Sequence, residues 1–166
     1  MKVLLKSRTG STNIVNMDKN AYISPHFRLF ELANNKGDKS IQQMILSAEV
    51  DRFLTLLEQF RVQYNKPMNC SSCYRQPAYN KEVHGAANSL HLEALAFDWP
   101  VQLDYNGRLY VYDLWRTITE KGGAVGGINY YPWGCHLDAN ENKYGHTSFI
   151  IRRGSNTIVN SVPRYL

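Results

Sequence analysis

His91, Asp98 and His136 are the side chains whose types and spacing could do chemistry. The first two lie seven residues apart in Ser89-Leu90-His91-Leu92-Glu93-Ala94-Leu95-Ala96-Phe97-Asp98, a segment with few other charges. His136 follows 38 residues after Asp98, in Trp133-Gly134-Cys135-His136-Leu137-Asp138. Two histidines and one carboxylate are the protein ligands of an open zinc site, with one tetrahedral position left for water, as a hydrolase requires. The spacing is too long for one helical turn and is not the H-E-x-x-H arrangement. Taken alone, a His–Asp pair at this separation is equally the pattern of a hydrogen-bonded core histidine and a surface carboxylate. The surroundings favour a site. Asp98 sits among Leu95, Ala96, Phe97 and Trp99, where a carboxylate is costly to bury unless paired or metal-bound. Ser89 could orient a ligand by hydrogen bonding, and Ala94 and Ala96 are small enough to pack tightly beside it.

The elements that must position these residues read as α+β: a small, mainly antiparallel sheet with helices packed on it. Residues 1–22 are polar and irregular apart from Val3-Leu4-Leu5, and form an arm or a strand; residues 23–166 make a single domain. Ser24 can cap a short helix with Pro25 at its first position. Asn34 to Asp38 is a loop. Apolar residues from Ile41 to Phe60 recur at close to helical spacing, which predicts a helix over 40–64, with room for a break near Ser47-Ala48. Asn65-Lys66-Pro67 ends it. Met68–Tyr74 reads as a strand, Ala78–Val83 as a short helix, Leu95–Trp99 as a buried strand stopped by Pro100, and Leu109–Glu120 as an amphipathic helix. Strands are also expected after Gly126-Gly127, at Leu137-Asp138 and at Ser148–Arg152.

Bulk properties bound the function. The net charge of +5 is moderate and suits an anionic partner such as a wall polymer. Basic residues are scattered and no nucleic-acid motif is present, so nucleic acid is not an expected partner. No apolar run approaches the ~20 residues of a membrane span, so stable membrane insertion is not expected. The apolar core of the N-terminus is too short for a signal peptide. Cys70 and Cys73 have redox or zinc-ribbon spacing, but no second such pair completes a four-thiolate site, and three cysteines argue against a full disulfide framework.

Several ordered segments resemble the zinc-dependent murein peptidases of the D-Ala-D-Ala carboxypeptidase and L-alanyl-D-glutamate endopeptidase type, which share the hedgehog/DD-peptidase fold. Ser89, His91, Ala96 and Asp98 match the signature S-x-H-x-x-G-x-A-x-D, with Ala94 in place of the glycine. Ser72-Cys73-Tyr74-Arg75-Gln76-Pro77-Ala78-Tyr79-Asn80 resembles S-G-Y-R-[S/C]-P-x-x-N, and His84 to Ser89 resembles the G-G-A-x-N-S approach to the first ligand. Gly126-Gly127-Ile128-Asn129-Tyr130-Tyr131-Pro132 resembles G-G-[IV]-G-Y-Y-P, and His136-Leu137-Asp138 matches H-[IL]-D. Ser24-Pro25-His26-Phe27 is similar to the opening of the branch without a separate wall-binding domain.

The resemblance implies zinc held by His91, Asp98 and His136, and a water activated for attack on a peptide carbonyl. Arg75 would hold a substrate carboxylate or polarise the scissile carbonyl, for which its planar fork of donors is suited. Tyr130, Tyr131 and Ser89 would line the substrate groove, although aromatic packing is an equal reading of the two tyrosines. Many relatives carry Glu or Asp three residues before the last histidine; here that residue is Trp133, which cannot take a proton. Asp138 would share a face with His136 on a strand, and is expected either to act as the base or to orient His136. His26, His84 and His146 read as local packing or loop residues.

The function expected is a peptidase that cuts the stem peptide of bacterial peptidoglycan. Without a signal peptide it would be made in the host cytoplasm and reach the wall by phage-type release as an endolysin, or within a virion beside other virion proteins. Two alternatives stand: a catalytically silent structural or wall-binding domain of the same fold, and a cytosolic D-Ala-D-Ala dipeptidase.

Overall fold

The computed structural model describes residues 2–6, 12–18, 20–32, 43–140, 150–153 and 156–159. The expected loop at 34–38, the start of the expected helix at 40–42 and His146 lie outside them.

The architecture is α+β. Near the N-terminus, β1 (Lys2–Lys6) and β2 (Thr12–Asn16) pair antiparallel, while β1 pairs parallel with β5 (Gln43–Ser47), giving the order β2-β1-β5. A small hairpin joins β3 (Tyr22–Ser24) to β4 (Phe27–Arg28) and runs into the short helix α1 (Leu29–Leu32). Ser24 therefore does not cap a helix at Pro25. It ends a strand, and its hydroxyl donates to Glu58 Oε2 at 2.7 Å. The His26 backbone N–H donates to the same oxygen at 3.1 Å, and its ring pairs with Glu58 Oε1. A proline two residues before the next strand shapes a turn here because Glu58, on the long helix that follows β5, supplies the carboxylate that the turn's donors need.

Helix α2 spans Ala48–Tyr64. The segment predicted as helical from residue 40 does break at Ser47, but the part before the break is not helical: Gln43–Ser47 is strand β5, and the Ser47 side chain accepts from the Val50 N–H at 3.3 Å. Its other end is set by Asn65, whose φ of 55° caps the helix while its N–H donates to the Arg61 carbonyl. Met68–Tyr74 is not a strand; only Ser72 bridges, antiparallel, to Asp98. Helix α3 (Pro77–Glu82) and a 3-10 turn (Leu90–Glu93) follow, and then β6 (Ala96–Trp99), helix α4 (Tyr105–Lys121), β7 (Val125–Tyr131), β8 (Gly134–Asn140), β9 (Ile150–Arg153) and β10 (Asn156–Val159).

The main sheet has the order β10-β9-β7-β8-β6. β8 pairs antiparallel with both β6 and β7, and β9 pairs parallel with β7. Register sorts the side chains by parity. Phe97, Trp99, Ile128, Cys135 and Leu137 share one face and are buried in the core with residues of α2 and α4. Aromatic edges lock the helices to that face: Phe53 and Phe60 meet Trp115 at 6.2 and 5.8 Å, and Phe60 and Tyr64 meet Trp99 at 6.2 and 4.9 Å. Trp115 Nε1–H is shared between the carbonyls of Gly127 (3.0 Å) and Asp138 (3.1 Å), so one buried indole ties α4 to β7 and β8 together. With the helices on one face, the other face of β6, β8 and β7 is left for chemistry.

Because Ser47 divides strand from helix, Ser47→Ala should cost about 1 kcal/mol of stability. A urea midpoint lowered with an unchanged slope is the expected reading, and an unmoved midpoint would show that the first turn of α2 is held by something else.

Candidate metal centre

The site is a row across the free face. Asp98 of β6 is directly opposite His136 of β8, and His136 is opposite Asn129 of β7. His91 arrives from the 3-10 turn before β6. The Ser89 side chain caps that turn by accepting the His91 N–H at 3.4 Å. Ala94 closes it in the left-handed region at φ 58°. That conformation explains the glycine of the motif: an L-residue there costs roughly 1–2 kcal/mol, and here the methyl is buried in the core.

His91 and Asp98 are only 3% and 6% exposed. His91 Nε2 lies 3.2 Å from Asp98 Oδ1 and 3.3 Å from His136 Nδ1, and His136 Nδ1 lies 2.7 Å from Asp98 Oδ1. Among the described residues these three form the group whose ligand atoms could hold one metal ion. The donor set fits. Metal–ligand bonds of about 2.0–2.1 Å in a tetrahedron put ligand atoms roughly 3.3 Å apart, and two of the three edges already have that length. The outer nitrogens are also held as a metal site requires: His91 Nδ1–H donates to the Cys73 carbonyl at 2.7 Å, and His136 Nε2 faces Asp138 Oδ2 at 3.1 Å.

Asp98 is fixed on all sides. Its backbone exchanges hydrogen bonds with Ser72 and Ser71, and Arg75 Nη2 donates to Oδ2 at 2.6 Å. Arg75 Nε donates to Ser72 Oγ at 2.9 Å, and its backbone N–H to the His91 carbonyl. The structure thus brings Arg75, Ser89, His91, Asp98, His136 and Asp138 together. It does not bring Tyr130, which lies on the core face opposite Cys135 and donates its hydroxyl to the Arg108 carbonyl at 2.6 Å. Tyr131 stacks on Trp133 at the β7–β8 turn, with centroids 4.8 Å apart and planes at 10°. The position to which the sequence resemblance would assign an acid/base is therefore an aromatic that is 44% exposed.

Asp138 is completely buried. It sits on the far side of the His136 ring from Asp98, in space that Gly127 leaves open: a Cβ on Gly127 would fall 2.5 Å from Asp138 Oδ1. Of the two roles expected for Asp138, orienting His136 matches this geometry; a base would need contact with water. Parity along β8 signalled the shared face, but Gly127 as the residue that makes room could be found only through the β7–β8 register.

Electrostatics follow from the row. Burial opposes ionisation of Asp98, yet hydrogen bonds from His136 and His91 outweigh it and hold the carboxyl far below the usual range. Burial pushes His91 down. Burial also works against the His136 imidazolium, but its bonds to Asp138 and Asp98 prevail and raise it to about 9. Burial pushes all three cysteine thiols up, which leaves them poor ligands and poor nucleophiles.

The chain belongs to the Peptidase M15 family, a family of zinc-dependent peptidases, whose model matches residues 25–131. The match contains His91 and Asp98 and ends before His136, so the third member of the trio rests on the geometry of β8. No curated protein and no solved structure matches the chain.

Two outcomes are expected. In the metal-free protein His136 is protonated when folded, so its contribution to stability, at most on the order of 3 kcal/mol, is complete below pH 6.5 and lost as pH rises through 9. His91 resists protonation, which costs stability as pH falls below 6.5. Metal-free stability should therefore peak near pH 6.5, while zinc added at pH 7 should displace about one proton per ion, read by calorimetry in two buffers of different ionisation enthalpy. A metal-free optimum above pH 9 would refute the assignment. Gly127→Ala should lower zinc affinity by about 10–100-fold by displacing Asp138, measured by chelator competition; unchanged affinity would mean that Asp138 does not support His136.

Proposed function

We propose that this chain is a zinc-dependent peptidase that cuts a peptide bond in the stem peptide of bacterial peptidoglycan. The observation that carries the reading is the buried His91–Asp98–His136 trio with His136 backed by Asp138, in a chain of this family. When bound, zinc supplies an activated water and polarises a carbonyl. The protein's part is then defined. His91 and His136 offer one nitrogen each to the ion, and their other nitrogens are held by the Cys73 carbonyl and Asp138. Asp98 offers Oδ1 while Arg75 occupies Oδ2. With one guanidinium nitrogen on Asp98 and another on Ser72, Arg75 holds the ligand in place and keeps its remaining donors for a substrate carboxylate or the scissile carbonyl. Zinc, the peptidoglycan substrate and the D-Ala-D-Ala carboxypeptidase or endopeptidase subtype rest on the sequence resemblance together with this trio.

A phage-type lysin or virion-associated enzyme is the setting we propose, supported by the similarity of Ser24-Pro25-His26-Phe27 to the branch without a wall-binding domain. Trp133 supports a second reading, a metal-binding domain of the same fold without turnover, because it puts no proton acceptor where many relatives have one.

Mass analysis of fragments released from purified peptidoglycan separates these readings. Wild type should release fragments with one defined new terminus, and a chelator or His91→Ala should reduce release by at least about 1,000-fold. Zinc bound at one ion per chain with no fragments would leave the silent domain. Faster release of D-alanine from free D-Ala-D-Ala than from wall material would indicate the dipeptidase instead.

A further inference from the structure

Asn129 is the one buried polar side chain of β7, the central strand of the main sheet. It is 6% exposed, and its amide has no hydrogen-bond partner among the described residues. Asn80 Oδ1 is the only fully enclosed side-chain polar atom without a partner among those residues, so the Asn129 amide keeps an opening to solvent. Register puts it on the chemical face, where it extends the row Asp98–His136–Asn129 across three neighbouring strands. Opposed residues in such a row have Cβ atoms about 4.5–5.5 Å apart, which places the amide beside a candidate metal ligand. In the segment G-G-[IV]-G-Y-Y-P this position is glycine, so the amide is an addition in this chain.

Fold stability does not account for it. Asparagine is disfavoured in strands, and a largely buried amide with no protein partner and only a narrow opening to solvent adds nothing to the stability of the fold. Such a residue in a central strand is expected where a ligand supplies the missing partner. Its chemistry limits that ligand. A carboxamide is neutral and offers both a donor and an acceptor, which matches the C=O and N–H of a peptide group better than a carboxylate or an ammonium.

We infer that Asn129 is a substrate-binding residue whose side-chain amide pairs with a backbone peptide group of the stem peptide, next to the metal ligands. This rests on the peptidoglycan reading above. The amide supplies no proton-transfer step and does not replace the acid/base absent at Trp133. It orients the peptide across the row, so that the bond to be cut lies along a fixed direction relative to His136.

The test uses the full chain loaded with zinc, as wild type, Asn129→Ala and Asn129→Leu, with Leu keeping the branched shape without the amide. Three quantities are read: Tm, zinc per chain, and Kd for a synthetic pentapeptide of the peptidoglycan stem sequence. Fragment release from purified peptidoglycan is followed in parallel. Both variants should keep one zinc per chain and a Tm equal to or above wild type, while pentapeptide affinity weakens about tenfold or more and kcat/KM falls with it. Affinity within twofold of wild type would overturn the inference. So would a weakening accompanied by lower Tm and lost zinc, since that marks a structural or metal-positioning role. If wild type binds the pentapeptide but releases no fragments, hydrolysis fails as a reading and Asn129 is judged on affinity alone. If wild type neither binds nor cuts, both readings fall.

Discussion

The site depends on one buried anion, the Asp98 carboxylate. At 6% exposure, an uncompensated charge there would cost several kcal/mol. Arg75 answers one oxygen, and the two histidines converge on the other. Asp138 adds a second buried acidic group behind His136. With both carboxylates ionised, Asp98, Asp138 and Arg75 leave one negative charge to be balanced, and the raised His136 shows how the metal-free protein balances it: with a proton. A divalent ion at the trio would satisfy the same demand more fully. Proton and metal are thus alternative occupants of one electrostatic position, which is why a buried site of this polarity can exist before any ion binds.

The rest of the fold holds that anion at the right depth. β6, β8 and β7 place Asp98, His136 and Asp138 on one face only because the opposite face is committed to α2 and α4 through Phe97, Trp99, Ile128 and Leu137. Shifting β8 by a single residue would exchange the faces and carry His136 into the helical core. Trp115 guards against that slip, since its indole N–H is shared by carbonyls of β7 and β8 at the level of Gly127 and Asp138. Gly127 completes the arrangement, because any side chain there would collide with Asp138.

Much of this was legible in the sequence where chemistry and periodicity are local. The apolar spacing within α4, the run ending at Trp99 and the ordered motifs around Arg75, His91, Asp98 and His136 all read through. What failed was local in appearance but decided by distant partners. Apolar spacing continues through Ile45, Leu46 and Val50 and left room for a break near Ser47-Ala48, but that the residues before the break form strand β5 depends on pairing with β1. Ser24-Pro25 has the composition of a helix start, yet Glu58, 34 residues away, makes it a turn. Tyr130 and Tyr131 are equivalent as text and lie on opposite faces of β7, one bonded into the core side and one stacked at the turn. Asn129 replaces a glycine of the motif, but its place beside His136 exists only once β7 and β8 are in register.

The departures from the family motifs differ in depth, and depth decides what each can change. Ala94 keeps the left-handed turn that a glycine would adopt freely, so its cost falls on stability while His91 stays in place. Trp133 lies at an exposed turn, stacked on Tyr131, outside the network that holds the trio. Replacing an acid/base there removes a proton acceptor without disturbing a single bond to His91, Asp98 or His136. The trio that could hold an ion and the position that the resemblance gives to an acid/base are therefore physically separate: a buried row and an exposed hairpin tip. A substitution at the tip would therefore change proton-transfer chemistry without touching the side chains that could hold a metal ion.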